Sequence, residues 1–370
     1  MKIGISAEWL GSRAGGLETY TAKLIDGLSR INSSDDFRIF TLRAGALGSI
    51  AASAPNVREV PVFGRTRWLA VPFGIPFAAK CVGADVLHAT SVAPPISDTN
   101  LVVTVHDLGY RKQPQLYPPL VRLRLAALIG AGAKRARKII AISEATKRDL
   151  LEAYDIPSER IRVIYNGVDE QFRPLSDTDE ITRRLARYSI PRPYVLYVGR
   201  HHPGKNLGRL IEAFANVRRR GLADLSLVLV GTGLYYAESV YRRVGQLGVA
   251  DRVVLPGYVD AADLPYIYNG ARAFAYPSLF EGFGLPPLEA MSCGIPTLVS
   301  DASCLPEIVG DGALQAQAYS VEDLTDKLMT ILVDDEMRDQ LRQRGLARAA
   351  TFSWERTARE TMAVYLEATQ

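Results

Sequence analysis

The chain has 370 residues, 48% hydrophobic and 23% charged, with a formal net charge of +4. That length exceeds one ordinary core and suits two domains of about 150–190 residues. There is no low-complexity tract and no stretch near the roughly 18 uncharged apolar residues of a transmembrane helix, which excludes a helical membrane-spanning protein.

Three cysteines (Cys81, Cys293, Cys304) and four histidines (His88, His106, His201, His202) show no metal-ligand spacing. The odd cysteine count suits a reducing compartment, and a cytoplasmic location is expected. Charge is uneven: residues 1–175 carry 23 Lys+Arg against 16 Asp+Glu, the remainder 21 against 24. Either the solvated faces differ by chance, or the first half meets an anionic partner.

Taken in chain order, MKIGISAEWL has one lysine and then turns polar and acidic, so it reads as a first strand over 2–7 and not as a signal peptide. The loop GSRAGGLE (11–18) leads into a helical stretch, 19–28. Apolar strands are predicted at 37–42, 57–62, 85–90, 101–107, 138–143 and 161–168. A basic amphipathic region (118–138) and a helix (144–154) lie among them. The second half repeats the alternation. Strands are predicted at 194–200, 225–233, 252–259, 273–278 and 296–301, and helices at 206–220, 263–271 and 287–293. Two long helical runs close the chain.

Short apolar strands between helices argue for parallel sheets covered on both faces. The expected class is α/β: two doubly wound, Rossmann-like domains facing a central cleft. The expected division is 1–175, 176–350 and a last helix, 351–370, that crosses back to the first domain. In such sheets ligands bind beyond the carboxyl ends of strands, and each motif below falls at such an end.

LFEGFGLPPLEAMSCG (279–294) places Glu281 before a glycine turn and Glu289 on the helix after it. Gly282 and Gly284 permit unusual dihedrals, and Pro286 and Pro287 suit a helix entry. The turn therefore offers backbone N–H groups at a helix N-terminus, a site for a phosphate. Glu289 is expected in the first helical turn, where it could equally be a surface residue matched to the helix dipole. In VGRHHPGKN (198–206), Arg200 and Lys205 flank a strand-to-helix loop. They are either a solvated loop or a diphosphate clamp, with guanidinium as fork and ammonium as point charge.

SRAGGLETY (12–20) sets Gly15 and Gly16 before a helix, again able to face an anion, and VGTGL (230–234) follows a strand. Neither has the G-x-G-x-x-G spacing, which disfavours a nicotinamide dehydrogenase. In TVHDLGY (104–110), His106 ends an apolar strand. It is a structural histidine, a hydrogen-bond donor to a substrate hydroxyl, or an acid or base. A nucleophile elbow, a Walker loop and a zincin motif are absent, as is the basic and aromatic pattern of an RNA-binding sheet, so no nucleic-acid partner is expected.

FEGFGLPPLEAMSCGIP (280–296) resembles the signature of glycosyltransferase family 4, retaining enzymes of the GT-B fold, with the E-x7-E spacing matched at Glu281 and Glu289. GGLE, HDLGY, AISEATKRDL, IPSERIRVIYNGVD, VGRHHPGKNLGRLIEAF, LVLVGTG, PGYVDAADLPYIY and FSWERTA (352–358) resemble family segments in the family's order. The resemblance covers almost the whole chain. Gly204 departs from it, since many relatives carry a charged residue just before the lysine.

The resemblance implies that Glu281 lies beside the donor sugar and Glu289 binds the ribose hydroxyls. It implies that Phe283, Gly284 and Leu285 meet the diphosphate and sugar through their backbone. Arg200 and Lys205 match the family's diphosphate clamp. Gly16 matches a loop glycine that approaches the phosphate, and His106 a histidine near the sugar C6 hydroxyl. Gly231, Tyr258 and Val259 would line the base.

Also implied are metal-independent hexosyl transfer with retention and no cofactor. The favoured donor is GDP-mannose, with UDP-glucose and dTDP-rhamnose as alternatives, and the acceptor a glycan or lipid-diphosphate-linked glycan of polysaccharide assembly. Arg122, Arg124, Lys134, Arg135, Arg137 and Lys138 surround an apolar stretch. They form either a solvated helix face or a peripheral contact with an anionic membrane. Two rivals share the architecture: a nucleotide-sugar 2-epimerase, and a sugar-nucleotide-binding subunit without catalysis.

Overall fold

The computed structural model describes residues 1–12, 15–31, 34–48, 50, 54–64, 66–233 and 237–370. Arg13 and Ala14 of the first glycine loop and Leu234 of VGTGL lie outside the described residues. The chain divides into two compact units, Met1–Gly167 with Ser353–Gln370, and Val168–Phe352. The sequence reading drew its boundaries at 175 and 350; the structural division falls at 167 and 352.

Among the described residues the first unit holds seven parallel strands: β1 (Lys2–Ser6), β2 (Asp36–Thr41), β3 (Val57–Pro61), β4 (Val86–Ala89), β5 (Asn100–Val105), β6 (Lys138–Ala141) and β7 (Ile161–Val163). Their order is β3-β2-β1-β4-β5-β6-β7, so the winding reverses between β1 and β4. β4 is buried along its whole length, and β1 and β5 are buried beyond their first residues, as strands covered on both faces must be.

The helix Gly16–Ile31 covers one face beside the last helix, Trp354–Thr369. The two approach closely because residue 27 is glycine; a Cβ there would stand 3.0 Å from Ala358 Cβ. A buried polar chain ties that last helix to the sheet. His88 Nδ1 lies 2.7 Å from Tyr365 Oη, His88 Nε2 lies 2.8 Å from Thr104 Oγ1, and Tyr20 Oη lies 2.9 Å from the same Thr104 oxygen. Burial pushes the His88 pKa down to about 3, so the ring is neutral.

Among the described residues the second unit holds six parallel strands: β8 (Tyr194–Val198), β9 (Ser226–Val230), β10 (Val253–Gly257), β11 (Ala273–Tyr276), β12 (Thr297–Ser300) and β13 (Leu314–Ala316). Their order is β10-β9-β8-β11-β12-β13, with the reversal between β8 and β11. Both units are thus doubly wound and Rossmann-like.

Several elements differ from the sequence reading. The strand predicted at 161–168 stops at Val163, because Gly167 is held against the backbone of Trp354, where no Cβ would fit. The edge strand β13 was not anticipated, being three residues without alternation. Three helices close the chain, Val321–Val333, Asp335–Ala349 and Trp354–Thr369, where two were expected. The third is separated by Phe352 and a Ser353 cap whose hydroxyl accepts from Arg356 N.

Candidate functional site

In the second unit the loops after β8 and β11 leave from adjacent strands at the winding reversal, the position where doubly wound sheets take ligands. After β8 the chain turns at Gly199 and runs through Arg200 into the one-turn helix Pro203–Lys205. Arg200 is exposed, and its guanidinium has no carboxylate partner among the described residues. The Lys205 ammonium is ion-paired with Glu281 and also donates to Tyr276 Oη at 3.2 Å. Tyr276 in turn stacks on Tyr197, ring centroids 5.6 Å apart. Two buried tyrosines from the adjacent strands thereby form the floor beneath the lysine–glutamate pair.

The turn after β11 is pinned from the segment after β12. Ser303 Oγ donates to Glu281 O at 2.6 Å, and Cys304 Sγ donates to Phe283 O at 3.2 Å. Gly284 has φ +99°, and a Cβ there would stand 2.8 Å from Leu305 Cδ2. Position 284 therefore needs glycine for conformation and for space. Gly282 does not share the positive φ.

The helix Leu285–Ser292 starts at Leu285, so Pro286 and Pro287 occupy its first turn. The prolines remove two of the amides expected there. The donors that remain at this N-terminus are those of Gly284 and Leu285. The anion site foreseen from the sequence is thus narrower, a backbone turn and not a full helix end.

Glu289 corrects the sequence reading. It is not in the helix's first turn and is not a free surface residue. Its Oε2 accepts from Tyr268 Oη at 2.7 Å, and burial pushes its pKa up to about 7, against the lowering effect of that hydrogen bond. The other oxygen has lone pairs to spare for a hydroxyl.

The loops after β8 and β9 interlock. Gly199 N donates to Val230 O at 3.0 Å, His201 N to Thr232 O at 3.1 Å, and Gly231 N to Gly257 O at 2.9 Å. A Cβ on Gly231 would collide with Gly199 O. Gly231 therefore sits beside the Arg200 loop. Tyr258, exposed, and Val259, buried, follow directly from β10, the next strand. His202 Nδ1 accepts from Gly204 N at 3.2 Å. Burial, then Lys205 and Arg200, lower its pKa, so it is neutral at pH 7.

His106 and Gly16 belong to the first unit and are described there alone. His106 follows β5. Its Nε2–H donates to Thr90 O at 2.7 Å, its ring meets Tyr20 edge-on at 4.8 Å, and burial lowers its pKa to about 4. The sequence reading allowed a donor to a substrate hydroxyl; that proton is already committed to Thr90. Neutral His106 keeps Nδ1 as an acceptor. Gly16 opens its helix after Gly15 at φ +66°, and a Cβ on either would meet nothing within 4 Å. Glu18 in the first turn accepts from Gly11 N at 2.8 Å.

Sequence reasoning missed Glu8. It follows β1 at the first sheet's winding reversal and is buried, bonded by Ser6 Oγ and, at 2.5 Å, by Ser91 Oγ. Trp9 Nε1 donates to the same Ser91 hydroxyl at 3.0 Å. The available signal was a carboxylate two residues beyond a strand end. Among the described residues no group of three His, Cys, Asp or Glu side chains is placed to hold a metal ion.

Two doubly wound parallel sheets are present, and one of them carries cations, a glycine turn and a hydroxyl-accepting glutamate at its reversal, groups whose chemistry suits phosphate and hydroxyl ligands. Residues 182–348 match the glycosyl transferases group 1 family, and residues 14–172 match glycosyltransferase family 4. O-antigen chain mannosyltransferase B of Escherichia coli is 31% identical over 282 residues, 76% of this chain and 74% of that protein. O-antigen chain mannosyltransferase RfbU of Salmonella typhimurium is 28% identical, over 82% of this chain and 84% of that protein. Against a longer relative, serotype-specific mannosyltransferase WbdA of E. coli, the match covers 28% of that protein.

Among solved structures, Anabaena HepE in complex with UDP and glucose superposes with a TM-score of 0.78 at 21% identity, covering 98% of each chain. At that identity the likeness is one of fold, and the fold is GT-B. The chain belongs to the family 4 glycosyltransferases and is a hexosyltransferase.

Proposed function

We propose that this chain transfers mannose from GDP-mannose, with retention at the anomeric carbon, to a glycan or lipid-diphosphate-linked glycan in assembly of a surface polysaccharide. The relatives named O-antigen mannosyltransferases support the sugar and the pathway class. The observation that carries the donor site is the Lys205–Glu281–Tyr276 cluster beside Arg200 at the β8/β11 reversal.

Breaking the sugar–phosphate bond puts positive charge on the anomeric carbon and negative charge on the leaving diphosphate. Arg200, Lys205 and the amides of Phe283, Gly284 and Leu285 are the groups to receive that diphosphate, without a metal ion. Glu281 holds the sugar. Glu289 accepts from the ribose hydroxyls, and Gly231, Tyr258 and Val259 border the base. Gly16 and His106 are assigned to the phosphate and the sugar C6 hydroxyl on the family resemblance alone. Retention then follows from attack on the face the diphosphate leaves, with a diphosphate oxygen taking the acceptor's proton.

The test is calorimetric titration with GDP, UDP, dTDP and ADP, with and without a chelator. Tightest binding of GDP, unaffected by the chelator, is the expected result. Preference for UDP or dTDP overturns the donor but keeps the clamp. Turnover of UDP-N-acetylglucosamine without any acceptor would instead identify a 2-epimerase.

A further inference from the structure

Two stretches of the first unit contain no acidic residue, 60–84 and 108–143, yet they carry eleven lysines and arginines. The first includes the helical segments Arg67–Leu69, Ala70–Gly74 and Ile75–Val82. This segment turns Val71, Ile75 and Ala79 into the core. Its remaining large apolar side chains, Trp68, Phe73 and Phe77, are each more than half exposed. It is therefore apolar on two faces and buries only one.

The presentation is fixed by close packing. Gly64, at φ +97°, lies where a Cβ would be 2.8 Å from Ala70 N, and a Cβ on Gly74 would collide with Phe63 O. Phe63 packs edge-on against Phe77, centroids 5.7 Å apart.

The second stretch includes the helix Pro119–Arg135, whose first turns are exposed all round, with Leu120 at 77% and Leu123 at 69%. The guanidinium of Arg124 lies over the Trp68 ring, which puts both stretches on one face. Arg67 lies over Trp9. Arg67, Arg122 and Arg124 have no carboxylate partner among the described residues. By contrast Lys138 is paired with Glu367 at 2.7 Å, so the basic set named from the sequence is narrower than it looked; Lys112, outside that set, is paired with Asp149 at 3.1 Å.

We propose that this face docks the chain on an anionic lipid surface, with Trp68, Phe73, Phe77, Leu120 and Leu123 entering the headgroup layer and Arg67, Arg122 and Arg124 meeting lipid phosphates. Aromatic and aliphatic side chains on otherwise cationic elements are the pattern of interfacial anchoring. The absence of carboxylates from the two stretches themselves suits a surface of uniform negative charge, although Lys80 and Lys112 are paired with Asp98 and Asp149 from outside them. Among the described residues no helix is long and apolar enough to cross a membrane, so the attachment is peripheral. The proposal does not depend on the donor reading, because every residue in it lies outside the nucleotide-binding unit.

The experiment is flotation of the full chain with vesicles of phosphatidylcholine, alone or with about one-third phosphatidylglycerol, at low and high salt. Binding to the anionic vesicles only, reduced by salt, is expected. The double variants Phe73→Ser/Leu120→Ser and Arg122→Glu/Arg124→Glu should each lower it at least about tenfold. Both change exposed side chains; an unaltered circular dichroism spectrum and melting profile would show that each variant is folded, and unaltered nucleotide titration that its donor site is intact. Equal binding to both vesicle types, or undiminished binding by the variants, overturns the proposal. So does a concentration-dependent dimer that the same substitutions dissociate, with no vesicle binding, since a second copy would then cover the face.

Discussion

Lys205 and Glu281, 76 residues apart in sequence, form an ion pair at the carboxyl ends of β8 and β11, with both side chains mostly enclosed. A diphosphate bound there would compete with Glu281 for the ammonium. Replacing Lys205 with Ala should weaken GDP binding by about 1.5–3 kcal/mol, the scale of a charge-assisted hydrogen bond. Glu281→Gln should behave oppositely: it frees the lysine, so GDP binds no more weakly. Turnover should nonetheless fall about 10²–10³-fold, as when one aimed polar group is lost from a preorganised site. Calorimetry and steady-state rates on the two variants decide this. Normal turnover by Glu281→Gln would remove that residue from the donor site.

If Glu289 accepts from the ribose hydroxyls as proposed, nucleotide binding should depend on pH. Its folded pKa is raised from 4.5 to about 7, so the carboxylate forms only as pH rises through neutrality. A carboxylate accepts from ribose hydroxyls better than the acid, and GDP affinity should therefore increase between about pH 6 and 8. For stability the sign is reversed. A raised carboxyl pKa contributes stability that is fully present below 4.5 and lost as pH rises through about 7. Glu289→Gln should accordingly flatten the affinity profile and raise Tm more at pH 8 than at pH 5, which titration and thermal melts at the two pH values would check.

His106 should not titrate in the activity range. With its Nε2–H on Thr90 O and its pKa near 4, the ring is neutral and serves as an acceptor. No inflection near the ordinary histidine value of 6.5 should be traceable to it in the pH dependence of kcat/KM. An inflection there that vanishes in His106→Asn would mean that His106 carries a proton during the reaction.

Tyr365→Phe should cost about 1–3 kcal/mol of stability, because it leaves buried His88 Nδ1 without its partner. Urea unfolding would measure it. An unchanged midpoint would mean that another group takes over the bond.

The paired glutamates, the R-x4-K loop and the glycines were legible because local spacing writes them: a strand, a turn and a helix start lie within a dozen residues. What those side chains touch was not. The Lys205–Glu281 pair depends on strand order, which brings β8 beside β11 across β9, β10 and the helices between them. The commitment of His106 to Thr90 needs β4 beside β5. Glu289 looked like a surface residue because helix position alone says nothing of Tyr268 on another helix. Trp68, Phe73 and Phe77 gave no signal, since their segment's apolar residues follow no single face.

The first unit is discontinuous in the chain. It leaves off at Gly167 and resumes at Ser353, while the second unit is one uninterrupted run. During synthesis the nucleotide-side unit is therefore complete while the other still lacks its final helix. That helix supplies Trp354, Ala358, Met362 and Tyr365 to the first unit's interior. Until it emerges, the side of the first sheet that it shares with the helix Gly16–Ile31 is only partly covered, and His88 lacks its Tyr365 partner. A nascent chain would thus mature its second half first, and the tail would act as the fastener for residues made at the very start.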